Sequence, residues 1–313
     1  MILVTGCAGF IGSNLCESLL KEDERIVGID NFDPYYKISI KKKNIAALGY
    51  HKKFRFFQID IKSAVKLRWL FDNFSFSHII HLAASPGVGR SLKEPLPYIK
   101  NNIWGLINLL EHCKESKTPF IFSSSSSVYA DSGKIPFAEK DYSGNPLSPY
   151  GASKKSGEIY CRLYHDLYNI PVIILRLFTV FGPKVRPDMA VFKFIDNILK
   201  GREITLYDKG EVARDYTYID DVVLGIKKSL AGNLNFEIIN LGCGNPIKIK
   251  KLVSIIEKKI GKKAKIRYVK LPQAEMSRTY ADNQKASKIL NWKPKTAIGE
   301  GLDQLIKWYH ENY

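Results

Sequence analysis

The stretch MILVTGCAGFIG, Met1 to Gly12, sets a short apolar run directly against glycines at positions 6, 9 and 12. An apolar run that ends in glycine reads as a buried strand entering a tight turn, and the pattern from Ile11 to Leu20 reads as a helix. The three glycines have separate uses. Gly6 permits the sharp turn, Gly9 lets backbone N–H groups approach a pyrophosphate, and Gly12 lets the helix pack closely on the strand. Phe10 and Ile11 lie between them and share that approach. The next apolar run, Arg25 to Ile29, closes on Asp30 and Asn31. A carboxylate there accepts bonds from an adenosine ribose and repels a 2′-phosphate, so NAD is expected rather than NADP, with Asn31 among the cofactor residues. Glycines alone would be weak evidence; the order strand, turn, helix, strand, acid is specific.

The same alternation continues outward from this turn. Phe54 to Gln58 reads as a third strand ending near Asp60 and Ile61, which by position face the adenine amino group and ring; a solvent-facing loop aspartate is the other reading of Asp60. Ile79 to Leu82 forms a fourth strand, and the small Ala83 and Ala84 after it leave room for a dinucleotide beside Leu82. Pro95 to Cys113 reads as one long helix, on which Asn101 either bonds to the strand-end loops or stays on the surface. Phe120 opens a fifth strand that runs into five consecutive serines, Ser123 to Ser127, a rim of hydroxyls above the cofactor. Ile170 to Leu177 is the sixth strand.

Pro149 begins a helix that carries Tyr150 and Lys154, four residues apart and so on one face. A phenol with a pKa of about 10 is a poor base at neutral pH, whereas a nearby ammonium favours its anion. The other reading is a tyrosine stacked along a lysine stem. Near Thr179 the character changes to mixed helical and extended pieces. The fold expected is α/β: a Rossmann-type doubly wound parallel sheet over residues 1–179, which binds NAD. A smaller mixed C-terminal substrate lobe covers 180–313, with segments such as Phe236 to Leu241 returning to the sheet.

The formal charge is +17 over 313 residues, mostly from scattered lysines. No zinc-finger spacing or aromatic-interleaved basic stripe accompanies them, so the charge reads as a solvated surface that attracts small anions, not a specific nucleic-acid interface. The five cysteines have no metal-ligand spacing and no disulfide framework, and no metal is expected. Met1 leads straight into the first strand and no apolar stretch reaches membrane-spanning length, which points to the cytoplasm and no membrane partner.

These residues together resemble the extended short-chain dehydrogenase/reductase family. The motifs are GCAGFIG from Gly6 to Gly12, HLAA from His81 to Ala84, SSSSVY from Ser124 to Tyr129, YGASK from Tyr150 to Lys154 and RDYTYIDDV from Arg214 to Val222. Within that family the chain resembles nucleotide-sugar epimerases, in particular the UDP-glucuronate 4-epimerases. The carriers of that likeness are LFTVFGPKVRPDMAVFKF from Leu177 to Phe194 and NFDPYY from Asn31 to Tyr36. The resemblance implies Ser125, Tyr150 and Lys154 as the catalytic centre, Lys154 also reaching the nicotinamide ribose. It implies bound NAD that is recycled, a homodimer formed through two helices per subunit, and reversible C4 epimerisation of a UDP-sugar. It further implies sugar contacts from Arg90, Ser127 and Thr179, a carboxylate contact from Arg186, and diphosphate contacts from Arg214 and Arg278. A guanidinium takes a carboxylate through two parallel bonds, which favours UDP-glucuronate. If Arg186 instead pairs with Asp188, UDP-glucose or UDP-N-acetylglucosamine is the alternative, and a catalytically silent NAD-binding protein is a third reading. Two departures from the family pattern fall at Gly89-Arg90 and at Gln273-Ala274. Ser126 and Ser127 stand where the family's dehydratases carry an acid pair, which disfavours dehydration.

Overall fold

Ile2–Thr5 (β1) is buried along its whole length and pairs in parallel on both sides, which is why a run of unbroken apolar residues suits it. The computed structural model describes residues 1–129, 134–141, 145–232 and 234–313. After β1 come α1 (Phe10–Lys21), β2 (Ile26–Ile29), α2 (Ile38–Leu48), β3 (Phe54–Phe57) and α3 (Ala64–Asn73). β4 (His78–His81) leads through α4 (Val88–Lys93) to α5 (Leu96–Tyr98) and, across a wider π-type segment at Ile99–Trp104, to α6 (Gly105–Ser116). β5 (Phe120–Ser125), α7 (Pro149–Tyr168) and β6 (Val172–Leu177) complete the first half.

The second half continues with β7 (Thr179–Phe181), α8 (Ala190–Leu199), β8 (Glu203–Tyr207), β9 (Ala213–Arg214), β10 (Tyr216–Tyr218) and α9 (Ile219–Ala231). It ends with β11 (Phe236–Leu241), β12 (Ile247–Lys248), α10 (Ile249–Ile260), β13 (Lys265–Val269), α11 (Gln284–Leu290) and α12 (Ile298–Asn312).

Seven strands form one parallel sheet in the order β11-β6-β5-β4-β1-β2-β3, the doubly wound arrangement expected. The chain turns one way from β1 to β2 and the other way to β4, so the crevice of this fold lies at the C-terminal end of β1. Register makes that edge level: Thr5 stands opposite both Ile29 and His81. The turn at Gly6, the acid at Asp30 and the small residues after Leu82 therefore leave the sheet side by side. Likewise Ser125 is opposite Leu177, and Leu241 beyond it.

β11 is the segment anticipated at Phe236 to Leu241, and it extends the sheet at β6. The rest of the second half makes three two-stranded pieces, β7 with β10, β9 with β12 and β8 with β13. One hydrophobic cluster runs from Ile2 through Phe181 and Ile219 to Tyr309, so the lobe and the sheet share a core. Among the described residues no helix is long and apolar enough to cross a membrane.

The helix expected over Pro95 to Cys113 is present but not regular. Its π-type segment has a wider turn, and this lets two consecutive residues, Asn101 and Asn102, both reach Ser85. Hydrophobic periodicity does not carry that information.

Candidate active site

A cavity of about 420 Å³ opens along the level edge of the sheet, with the glycine turn at one end and the second half of the chain at the other. The turn is built by close approach. Gly6 has φ +71°, and a Cβ there would sit 2.7 Å from the Ala83 nitrogen. Gly9 caps α1 and offers no side-chain cap, and the first helix bond is from Ser13 N–H to the Gly9 carbonyl. The N–H groups of Phe10, Ile11 and Gly12 are thus the orphan donors of a helix N-terminus, and all three residues line the cavity. That is the environment a pyrophosphate needs.

Asp30 is buried beside this turn. Its Oδ1 accepts from Phe32 N–H at 2.8 Å and its Oδ2 from Ala8 N–H at 3.3 Å, while Lys41 Nζ lies 3.8 Å away. Burial pushes the Asp30 carboxyl up, and Lys41 and the two amides hold it back. Asn31, Ile61, Leu82, Ala83, Ala84 and Asn101 also line the cavity. Asp60 is outside the lining: it caps its own loop through Lys62 N–H at 2.8 Å and accepts from Asn31 Nδ2 at 3.0 Å. Asn101 bonds across to the strand-end loop, donating to Ser85 Oγ at 2.7 Å and accepting from Lys62 Nζ at 2.7 Å. The residue missed there is Asn102, buried, which brackets Ser85 through both its N–H and its carbonyl and also reaches Ser153 Oγ at 2.9 Å.

α7 is fixed at its start by Ser148, whose Oγ accepts from Gly151 N–H at 3.1 Å, and by Pro149 in the first turn. Gly157 lets it press onto β5, because a Cβ there would lie 2.5 Å from the Phe122 ring. The next residue, Glu158, is buried and takes Arg176 of β6 in a two-point pair at 2.8 Å and 2.8 Å, plus the Ser124 hydroxyl at 2.6 Å. This lock sets Tyr150 and Lys154 against Ser125 at the end of β5.

Lys154 Nζ donates to the Ser123 carbonyl at 2.7 Å, and burial lowers its pKa to about 8. The Tyr150 phenol is raised by burial and drawn back by a hydrogen bond with Ser125 and by the charge of Arg186. The sequence expectation that Lys154 does the lowering is therefore corrected: its ammonium is turned to the strand carbonyl, and Arg186 is the nearby cation that acts on the phenol. Ser125 Oγ also accepts from Ser127 N–H at 3.2 Å. Tyr98, not foreseen, meets the Tyr150 ring edge-on at 6.1 Å while its hydroxyl donates to the carbonyls of Pro86 and Gly87.

On the opposite wall Ser127, Thr179, Arg186 and Arg214 line the cavity. Arg186 is joined side-on to Asp188, Nε to Oδ1 at 2.9 Å and Nη2 to Oδ2 at 3.1 Å. The pairing weighed against a free arginine is thus present, yet the residue still faces the cavity. Arg214 donates through Nη2 to Glu275 at 3.1 Å and through Nη1 to the Ala213 carbonyl at 3.0 Å. Arg90 and Arg278 do not reach the lining. Arg90 pairs with Glu94 at 3.0 Å on α4 and lies 4.8 Å over the Tyr35 ring, and Arg278 is an exposed residue 6.0 Å over Tyr280. Tyr35, Lys41 and Glu275 are side chains to which the sequence assigned no role, and Asp188 entered only as the other partner weighed for Arg186; the tyrosine pair in NFDPYY was the one available signal for Tyr35. Among the described residues no group of three or more histidines, cysteines or acids could hold a metal.

A family model described as GDP-mannose 4,6 dehydratase matches residues 3–305. The chain is 44% identical to a protein of Thermodesulfobacterium geofontis described as UDP-glucuronate 4-epimerase, over 99% of this chain and 96% of that one. A Bacillus cereus UDP-glucuronic acid 4-epimerase, solved with UDP-glucuronic acid and NAD, superposes with a TM-score of 0.94 at 40% identity, covering 100% of this chain and 99% of that one. A Thermotoga maritima UDP-glucose 4-epimerase solved with UDP-glucose gives 0.91 at 29% identity, covering 99% and 98%. With a match along nearly its whole length and a dinucleotide cavity built from the same motifs, the chain belongs to the extended short-chain dehydrogenase/reductase family, among its nucleotide-sugar epimerases.

Proposed function

We propose that this protein is an NAD-dependent epimerase that reversibly inverts C4 of a UDP-sugar, with UDP-glucuronate and UDP-galacturonate as the pair interconverted. The observation that carries the uronate reading is the guanidinium of Arg186, mostly buried in the wall of the cavity that also holds Ser125, Tyr150 and Lys154. A carboxylate in that cavity meets a fixed cation, which a neutral hydroxymethyl group cannot exploit. The relatives described as UDP-glucuronate 4-epimerases support the same reading.

NAD fits the observed turn, since the unpaired N–H groups of Phe10, Ile11 and Gly12 suit a pyrophosphate and Asp30 suits a ribose diol. When bound, it supplies a reversible acceptor of hydride from C4. Tyr150 takes the proton from the C4 hydroxyl and later returns it, acting as base and acid in turn. The Ser125 hydroxyl holds the same oxygen in line. Lys154, mostly protonated at pH 7 with its pKa near 8, steadies the ribose, while the Ser125 hydroxyl and the charge of Arg186 favour the phenolate. Arg214 grips the diphosphate while Ser127 and Thr179 offer hydroxyls that serve either face of the sugar, so the C4 ketone turns without leaving. Ser126 and Ser127 carry no proton donor of acidic strength, which weighs against dehydration. We assign residues 1–179 to the cofactor and 180–313 mainly to the sugar nucleotide.

One observation favours a neutral sugar instead: Arg186 already holds a carboxylate in Asp188. A side-by-side kcat/KM comparison of UDP-glucuronate, UDP-glucose and UDP-N-acetylglucosamine decides between them, and a preference for either neutral sugar overturns the uronate assignment.

The oligomer inferred is a homodimer through α6 and α7. Ile159, Leu163 and Leu167 are exposed at four-residue spacing along α7, and Trp104, the residue that leads into α6, is 62% exposed. Light scattering at the monomer mass counts against it.

A further inference from the structure

We propose that Asp188 and Tyr35 are positioning residues that give the site its selectivity for a carboxylate, by holding Arg186 with one amino group aimed into the cavity; the proposal rests on the uronate reading above. Asp188 takes the Nε and Nη2 edge of the guanidinium, and Nη2 also lies 3.4 Å from Met189 Sδ. Nη1 makes no bond with any described residue, and no buried side-chain nitrogen is left unsatisfied. Nη1 is therefore accessible, on a residue that lines the cavity. A planar fork gripped along one edge cannot rotate, so its remaining donors keep a fixed direction.

Asp188 is itself held. Burial raises its carboxyl, but Arg186 and the Tyr35 hydroxyl hold it below the usual carboxylate range, so it stays ionised. Tyr35 donates to Asp188 Oδ2 at 3.1 Å from the loop that follows β2, tying the cofactor half to the substrate half across the mouth. Its ring is within cation–π reach of two guanidinium groups, Arg90 at 4.8 Å and Arg186 at 5.8 Å. Its hydroxyl rests where a Cβ on Gly87 would come within 2.6 Å, at a residue with φ +93°. The ring thus fills a fixed slot with a glycine behind it. Arg90, which the sequence placed on the sugar, acts here through Tyr35.

The charges decide the sign of the effect. Arg186 and Asp188 form a neutral pair, so a neutral sugar gains little from it, while a carboxylate reaching Nη1 gains charge-assisted hydrogen bonds of fixed direction. Without Asp188 the guanidinium is a mobile buried cation whose attraction is spread over many poses.

The test is Asp188→Asn and Tyr35→Phe, assayed for kcat and KM on UDP-glucuronate and UDP-glucose, alone and combined. Asp188→Asn is expected to lower the UDP-glucuronate to UDP-glucose ratio of kcat/KM by roughly tenfold to a hundredfold, mostly through KM for the uronate. Tyr35→Phe keeps the ion pair and is expected to lower the ratio by a few fold, with the double variant close to Asp188→Asn alone because the two act in series. A ratio that is unchanged or higher in the soluble variants overturns the proposal, as does an equal loss on both sugars. Should Asp188→Asn not fold, Tyr35→Phe decides by the same ratio. A wild-type preference for UDP-glucose overturns the uronate reading itself, a separate outcome seen before any variant is made.

Discussion

The two ends of the cavity are held by different kinds of chemistry. At the cofactor end the donors are backbone N–H groups at a helix start and the walls are glycine and alanine, with positions set by the level edge of a parallel sheet. At the sugar end the donors are arginines, and each already holds an internal carboxylate: Arg186 with Asp188 and Arg214 with Glu275. Backbone donors cannot swing away and need no counter-ion, so the first end is ready for its ligand. Side-chain cations need a partner when the site is empty, so ligand binding at the second end exchanges or supplements contacts that exist. The two arginine pairs also differ from each other. Asp188 is two residues from Arg186 and grips it at two points, whereas Glu275 reaches Arg214 from a distant loop through one bond.

The largest effect is expected where the two ends meet. Tyr150→Phe should reduce kcat by roughly 10²–10⁴ while the UDP-sugar dissociation constant changes by less than about threefold. A near-normal kcat would remove Tyr150 as the base.

Gly12→Ala should break the backbone end alone. The added Cβ would lie 2.2 Å from the Gly6 carbonyl oxygen and 2.9 Å from Cys7 Cα, both rigid backbone. Overpacking of this kind costs roughly 1–3 kcal/mol. The purified variant should carry little NAD, as measured by the nucleotide released on denaturation, and full NAD content would show that the turn tolerates the change.

Lys154→Met should separate stability from turnover. Burial holds the Lys154 pKa in the fold near 8, below its ordinary 10.5, so the unfolded chain binds more protons between those values. Its burial therefore costs stability below about pH 8, and the cost fades as pH rises toward 10.5. The variant without NAD should gain about 1 kcal/mol or more at pH 7, less of it at pH 9.5, and lose turnover. A loss of stability at both pH values would mean that the bond to Ser123 outweighs desolvation.

The smallest effect is expected from Glu275→Gln. The pair with Arg214 is partly exposed, and such contacts are worth little. UDP should bind a few fold tighter by calorimetry once Arg214 is free of its carboxylate, in contrast to the loss of selectivity at Asp188. Weaker binding would make Glu275 an orienting partner like Asp188 and erase the difference between the two pairs.

What the sequence by itself determined was the parallel sheet, the glycine turn, Asp30, and the Tyr150 helix with Ser125. These depend on neighbours in the chain: apolar runs of strand length, glycine at required turns, and side chains one helical turn apart. Even the return of Phe236 to Leu241 to the sheet was legible, because Phe236, Ile238, Ile239 and Leu241 make a mostly apolar segment of strand length. Tertiary structure alone decided which cation acts on Tyr150, that Asn102 joins Asn101 in bonding Ser85 of the strand-end loop, and that Arg90 packs on the Tyr35 ring. It also decided that Arg278 lies exposed and that the Asp60 carboxylate is taken up by Asn31 and its own loop. Each of these is a competition between partners far apart in sequence. A lysine can reach a phenol or a strand carbonyl, and a π-type turn can rotate one asparagine or two toward the same serine. The outcome rests on packing distances of a few tenths of an ångström, which no pattern of residue types records.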